Sequence, residues 1–267
     1  MRVLVQWVSS LMRSVGLLAD ALRHGWRIVH LGTLILTLAV MPGSYSRDRW
    51  PLLAHHLYLA TAPVLLWFTV LSSLLGMVLI RIVVVTAQSY GLSQYAVDMV
   101  VRVLVLEVIP LGAALFVALR ITIPQSTELL DARNTGQAPV SEGWDPHHWA
   151  RWVLPRALAG MFSVLMLAAV SCVVALVIAY LNLYGFTPWA IDGYTRLVGK
   201  VFNPSVTLIF AFKTLFFALI VALIPLASSL HDSPQPEARA RSELQSLIRM
   251  TLALLAIELV SLLGNYY

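Results

Sequence analysis

Residues 154–180 read LPRALAGMFSVLMLAAVSCVVALVIAY, and Arg156 is the only charged side chain among them. A helix of that length reaches about 40 Å, more than the roughly 30 Å of hydrocarbon in a bilayer. Leu, Val, Ala, Met and Ile occur all the way round it, so it has no face to offer water. An apolar helix this long and without a stripe is one that lipid surrounds. Working outward, the same reading applies to 57–85, 95–119, 204–226 and 247–263, which makes five runs long enough to span a membrane. Pro63, Pro110 and Pro225 fall within or near the ends of these runs. Membrane helices tolerate proline because neighbouring groups and local rewinding re-satisfy the freed backbone.

The composition agrees. The chain has 267 residues, 59% apolar and 12% charged, with mean hydropathy +0.82. Soluble domains run at roughly 45–50% apolar and about 25% charged. So little charge does not cover a water-facing surface, and a bilayer removes the need to. The formal charge of +5 is spread thinly between apolar runs, with no Lys/Arg-rich block interleaved with aromatics. Membrane orientation accounts for it better than nucleic acid does. The single cysteine, Cys172, lies in an apolar run and reads as a small packing residue.

The N-terminal segment reads differently. Leu4, Val8, Leu11, Val15, Leu18 and Leu22 recur at helical spacing, while Gln6, Arg13, Asp20 and Arg23 fall largely on the other side. We expect an amphipathic helix over 3–22 lying in the membrane interface, or else packed on another subunit. The interrupting charges argue against a cleaved signal peptide. Residues 28–41 are apolar but shorter than the roughly 20 residues of a full span. Arg23 and Arg27 precede this stretch, and Arg47 and Arg49 follow it, so a re-entrant elbow is expected, with a full span as the other reading. The chain thus divides into 1–50, interfacial helix and elbow, and 51–267, a five-helix domain with a long loop at 120–156.

Loop charge sets the expected topology. Arg120, Arg133 and Arg151 lie between the second and third runs, with Arg156 at the start of the third; Arg239 and Arg241 lie between the fourth and fifth, with Arg249 at the start of the fifth. The connection at 88–94 has no Lys or Arg, and the one between the third and fourth runs has only Arg196 and Lys200. Positive charge marks the cytoplasmic side, so the N-terminus is expected in the cytoplasm and Tyr267 outside. Five spans give the same parity. The 120–156 loop holds Pro124, Pro139, Gly143 and Pro146, with a short helix expected at 125–132; it could dock a cytoplasmic partner or simply connect. The DSPQPE stretch at 232–237 reads as a turn.

Arg81, Arg102, Glu107, Lys213 and Glu258 sit inside apolar runs. A charge at the bilayer centre costs about 2.5–3.5 kcal/mol even on lenient scales, so such groups face the protein interior or a wet cavity and pair. Arg81 and Arg102 are near enough to span ends to snorkel, and Arg102 could also lean along its helix toward Glu107. We expect Glu107, Lys213 and Glu258, with Arg102, to form a polar lining where a lipid headgroup could pass. The alternative is ion pairing that only locks helices together. No GxxxxGK[ST], HExxH or GxSxG motif occurs, so ATP binding in the phosphate-loop mode is not expected. His55–His56 and His147–His148 are adjacent pairs, which diverge by about 100° on a helix and make no i, i+4 metal face.

Several short segments, in order, resemble the MlaE-type permeases of MCE lipid-transport systems. Gly76-Met77-Val78-Leu79 is similar to the family's glycine motif at the end of its first span. Leu106-Glu107-Val108-Ile109-Pro110 resembles its Arg-Glu-Leu-Gly-Pro segment, and Arg120 falls at the spacing of the arginine in Ala-Gly-Arg. Glu128-Leu129 resembles the Ala-Glu-Leu of the helix that couples to the ATPase, and Pro155–Gly160 the Pro-Arg-Val-Leu-Ala-Gly that opens the third span. Lys213 stands where the family has a lysine, and Glu258 where it has an aspartate. There are departures: Leu106 for arginine, Ile109 for glycine, Thr122 and Leu130 for glycines of the coupling region, and residues 236–242 for a Gly-rich stretch.

The resemblance implies an interfacial elbow followed by five spans, in the bacterial inner membrane. It implies the permease subunit of an ABC-type transporter for lipid, with phospholipid as the expected substrate. A second permease chain, identical or not, an MCE-domain protein outside, and a separate ATPase that binds ATP are the implied partners. The chain itself would then be a transport subunit with no cofactor of its own and no catalytic residue. Arg120, Glu128, Arg133 and Gln137 would form the ATPase-coupling region. Two other classes stay open: an intramembrane lipid-modifying enzyme, and a non-transporting scaffold or degenerate half of a heterodimeric permease.

Overall fold

The structure is a computed structural model that describes residues 30–35, 37, 50–92, 95–135, 152–231 and 236–266. The amphipathic helix expected at 3–22, most of the 28–41 elbow, and Gln137 lie outside the described residues. Within the elbow, residues 30–35 and 37 are helical, with Leu31 and Ile35 buried.

Helix α1 covers Trp50–Ser89 and carries Pro63 inside it. A turn closed by Gly91 at φ +70 leads to the second span. That span is a relay: α2 (Ala96–Val100), a π-helical stretch Val101–Val108, α3 (Ile109–Val117), a second π-helical stretch Ala118–Thr122, and α4 (Ile123–Asn134). Helices α5 (Leu154–Tyr184), α6 (Ile191–Val201), α7 (Pro204–His231) and α8 (Pro236–Tyr266) follow. Among the described residues there is no strand. Among the described residues, five helical segments are long and apolar enough to cross a membrane: Ala54–Ser89, Ala96–Ala132, Leu154–Tyr184, Pro204–Leu230 and Glu243–Gly264. The protein is an all-α, multi-pass membrane protein.

The two π stretches have a local cause. Each ends two residues before a proline, Pro110 and Pro124, placed in the first turn of the α-helix that follows. Proline has no N–H for the carbonyl four residues back, and rewinding to a wider turn relieves that defect. The second span therefore runs on without a break into α4. The short helix expected at 125–132 is the end of this span, not a separate piece of loop. The DSPQPE stretch also differs from expectation. Its Pro236 and Glu237 already belong to α8, since proline suits the first helical turn.

Packing puts the second span at the centre. Its most apolar window is 61% buried, against 22% for the first and fifth spans, so those two present mainly lateral surface. The first span lies along the third, the third against the fourth, and the fourth against the fifth. Small residues allow the close approach. A Cβ on Gly160 would stand 2.8 Å from the Thr122 methyl and 3.5 Å from the Ala222 Cβ, so three spans meet there. Thr61 and Ser163 share a buried hydroxyl–hydroxyl bond of 2.8 Å between the first and third spans.

Helix α6 was not anticipated. It is amphipathic and returns the chain between the third and fourth spans, burying Tyr194 and Val201. The Tyr194 hydroxyl donates to the Leu176 carbonyl at 2.8 Å, and its ring meets those of Tyr180 and Tyr184 edge-on. Burial, aided by neighbouring Tyr184, pushes the Tyr194 phenol up to about 12.

Candidate functional site

The structure brings together Glu107, Lys213 and Glu258 from three different spans. Glu107 stands in the first π stretch, Lys213 on α7 and Glu258 on α8. Lys213 is 3% exposed. Its Nζ donates to Glu107 Oε2, donates to the Leu106 carbonyl at 2.9 Å, and lies 3.0 Å from Glu258 Oε2. The contact with Glu258 has ion-pair distance without hydrogen-bond alignment, since Glu258 Oε2 lacks a hydrogen-bond partner among the described residues, as does Glu107 Oε1.

Local sequence explains why this lysine finds four-fold support. Pro110 cannot give an N–H to the Leu106 carbonyl four residues earlier, and the ammonium of Lys213 takes that place. Phe217 lies one helical turn beyond Lys213, and its ring centroid is 5.9 Å from Nζ, a cation–π distance. A charge placed in the bilayer must find such partners or destabilise the fold. The triad holds one ammonium and two carboxylates, nearly enclosed by the bundle. It joins the second, fourth and fifth spans by charge.

Arg102 goes elsewhere. Its Nε donates to both Asp98 carboxylate oxygens at 3.1 Å, an i, i+4 pair that is partly exposed. The expected lean toward Glu107 is thus corrected. Helical side chains point back toward the N-terminus, which carries Arg102 toward Asp98 and away from Glu107. The sequence reading missed three contributors: Asp98, the Leu106 carbonyl and Phe217. Each was signalled by a spacing of four, Asp98 to Arg102, Leu106 to Pro110, and Lys213 to Phe217.

Of the expected coupling residues, Arg120 and Glu128 are exposed along the last turns of the second span. Arg133 is helical, and nothing is described of its side chain. Helix α4 buries Leu129 and Leu130 beneath it, and Leu129 packs with Val153, Leu154, Leu223 and Leu226. Its polar side is left outward. Arg156, at the start of α5, donates to the Trp152 carbonyl at 2.8 Å and has Glu128 within its electrostatic reach.

The family described as "Permease MlaE" matches residues 53–263, about four-fifths of the chain, from the start of the first span to the end of the fifth. No curated protein matches the chain closely enough to count as a relative. The match takes in all five spans and every residue of the charged triad. The chain therefore belongs to the MlaE permease family, the membrane subunits of ABC-type lipid transporters.

Proposed function

We propose that this chain is the permease of a phospholipid transporter in the bacterial inner membrane, working with an MCE-domain protein on the outer side. Its N-terminus faces the cytoplasm and Tyr267 the periplasm, which is the orientation the loop arginines favour. Two permease chains, this one paired with itself or with a related chain, form the membrane part. A separate ATPase binds ATP and docks around 120–137, where Arg120 and Glu128 are exposed along the last turns of the second span. The permease makes no chemical bond. It supplies a path and a two-state bundle that the ATPase drives.

The observation that carries this reading is the Glu107–Lys213–Glu258 triad, enclosed where three spans of a matched lipid permease meet. Closed, it holds the second, fourth and fifth spans together. Parted, it would present one cation and two carboxylates to a headgroup crossing between apolar walls. Triad residues thus act on transport both by setting the closed state and by lining the opened path.

Purification of the tagged chain in mild detergent, with mass spectrometry of retained proteins and lipids, tests the proposal. Recovery of an ABC ATPase, an MCE-domain protein and phospholipid is the expected result, and it also tells a homodimer from a heterodimer. A folded chain that purifies alone and lipid-free would refute it.

A further inference from the structure

The charge count of the Glu107–Lys213–Glu258 triad is out of balance. One ammonium meets two carboxyl groups, whose side chains are only 11% and 12% exposed. Ionised in full, the three groups would enclose one surplus negative charge among the second, fourth and fifth spans. Among the described residues, Glu107 and Glu258 have ion-pair contact with Lys213 alone, and Arg102 is turned to Asp98. An uncompensated charge so enclosed is strongly destabilising.

The hydrogen bonds are short by one donor as well. An ammonium has three N–H groups. One of Lys213 goes to Glu107 Oε2, one goes to the Leu106 carbonyl at 2.9 Å, and Glu258 Oε2 lies 3.0 Å away but out of alignment. Glu107 Oε1 and Glu258 Oε2 are both buried, and neither accepts a hydrogen bond among the described residues. Yet the two carboxyl groups lie within hydrogen-bonding reach of each other. Two carboxylates in such contact repel, whereas a carboxylic acid donates its O–H to a carboxylate. One proton thus supplies the missing donor and cancels the surplus charge, as in other carboxyl pairs that share one. A metal ion fits less well. The ammonium would repel it, and among the described residues no group of three His, Cys, Asp or Glu side chains forms.

We propose that the triad is a proton-binding site: closed, it holds one proton between Glu107 and Glu258, and parting of the three spans releases it. The proton comes from water and forms an O–H bond on one carboxyl. On parting, that bond breaks and the proton returns to water, leaving two solvated carboxylates and the ammonium along the opened path. The closed state binds the extra proton, so rising pH favours opening, by at most tenfold per pH unit for one proton. The inference rests on the lipid-permease reading and adds to it a proton linked to the opening of the bundle.

Infrared spectroscopy of the purified full chain at neutral pH reads the proton directly. A buried carboxylic acid gives a C=O stretch resolved from the carboxylate bands of exposed Asp and Glu. The expected result is such a band in wild type and its loss in both Glu107→Gln and Glu258→Gln, because each variant leaves one carboxylate for one ammonium. Spin labels at Val103 and Val260, 50% and 68% exposed on the second and fifth spans, read the parting. With the full chain and its co-purifying subunits in phospholipid vesicles, the ratio of long-distance to short-distance populations should rise with pH, by up to tenfold per unit. In Glu258→Gln it should stay constant. A wild-type protein without the carboxylic band, or a band that either variant keeps, would overturn the proton site. A label separation that does not move with pH would overturn its link to opening. Either result would leave the permease reading standing, because that reading depends on which subunits and lipids co-purify.

Discussion

Replacing Lys213 by methionine keeps the stem and its packing on Phe217 and removes the charge. Two carboxylates then face each other, and the Leu106 carbonyl loses its donor. At an effective dielectric of about 20, one ion pair at the 3.0 Å of Lys213 and Glu258 has a Coulomb energy of about 5–6 kcal/mol. The freed desolvation of the lysine offsets part of this. Removing one partner of a buried pair costs about 3–5 kcal/mol in practice, so Lys213→Met should lower the melting temperature in detergent by on the order of 10 °C. The triple variant Lys213→Met, Glu107→Gln, Glu258→Gln removes all three charges together. It should recover most of that loss, because replacing a whole buried network is close to neutral. Lipid transport in reconstituted vesicles should stay impaired in the triple variant. A Lys213→Met protein as stable as wild type would refute the energetic argument. A triple variant that transports normally would show that the triad only clamps helices.

Gly160→Ala should destabilise the bundle by about 1–3 kcal/mol, since its Cβ would lie 2.8 Å from the Thr122 methyl; adding Thr122→Ala should restore most of the loss in a thermal melt. Tyr194 binds its proton more tightly folded than unfolded, being pushed up to about 12 from 10.0. Stability from this group is therefore complete below pH 10 and is lost as pH rises toward 12, and Tyr194→Phe should delete the last step of the phenolate absorbance titration. Cys172 is 8% exposed and lies with its Sγ 3.5 Å from the Val105 carbonyl, so maleimide should label it only after denaturation; rapid labelling of native protein would contradict the packing of the second span on the third.

Much of the fold was legible in the residues because a bilayer is a simple solvent. Twenty or more apolar residues must become a satisfied helix there, so all five spans could be read from composition alone. Their ends were less legible. The second run seemed to stop at 119, where Arg120 enters, yet the helix continues to Asn134 because the π turns before Pro110 and Pro124 absorb both prolines. Helix α6 was missed because its 11 residues carry both charge and apolar groups, which hydropathy alone reads as a loop.

The same division holds for the site. Sequence by itself determined that Glu107, Lys213 and Glu258 needed partners, since a lone charge in hydrocarbon is too costly to keep. Which partners they found was decided by tertiary structure. Glu107 to Lys213 spans 106 residues and Lys213 reaches Leu106 across 107, distances over which no helical periodicity operates. Arg102 shows the converse. Its partner Asp98 is local, fixed by the backward tilt of helical side chains, and could have been named from spacing alone. A lateral groove between the first and second spans, lined by Trp67, Leu71 and Phe116, was beyond the sequence, because it exists only where two spans, read separately as plain apolar helices, lie side by side.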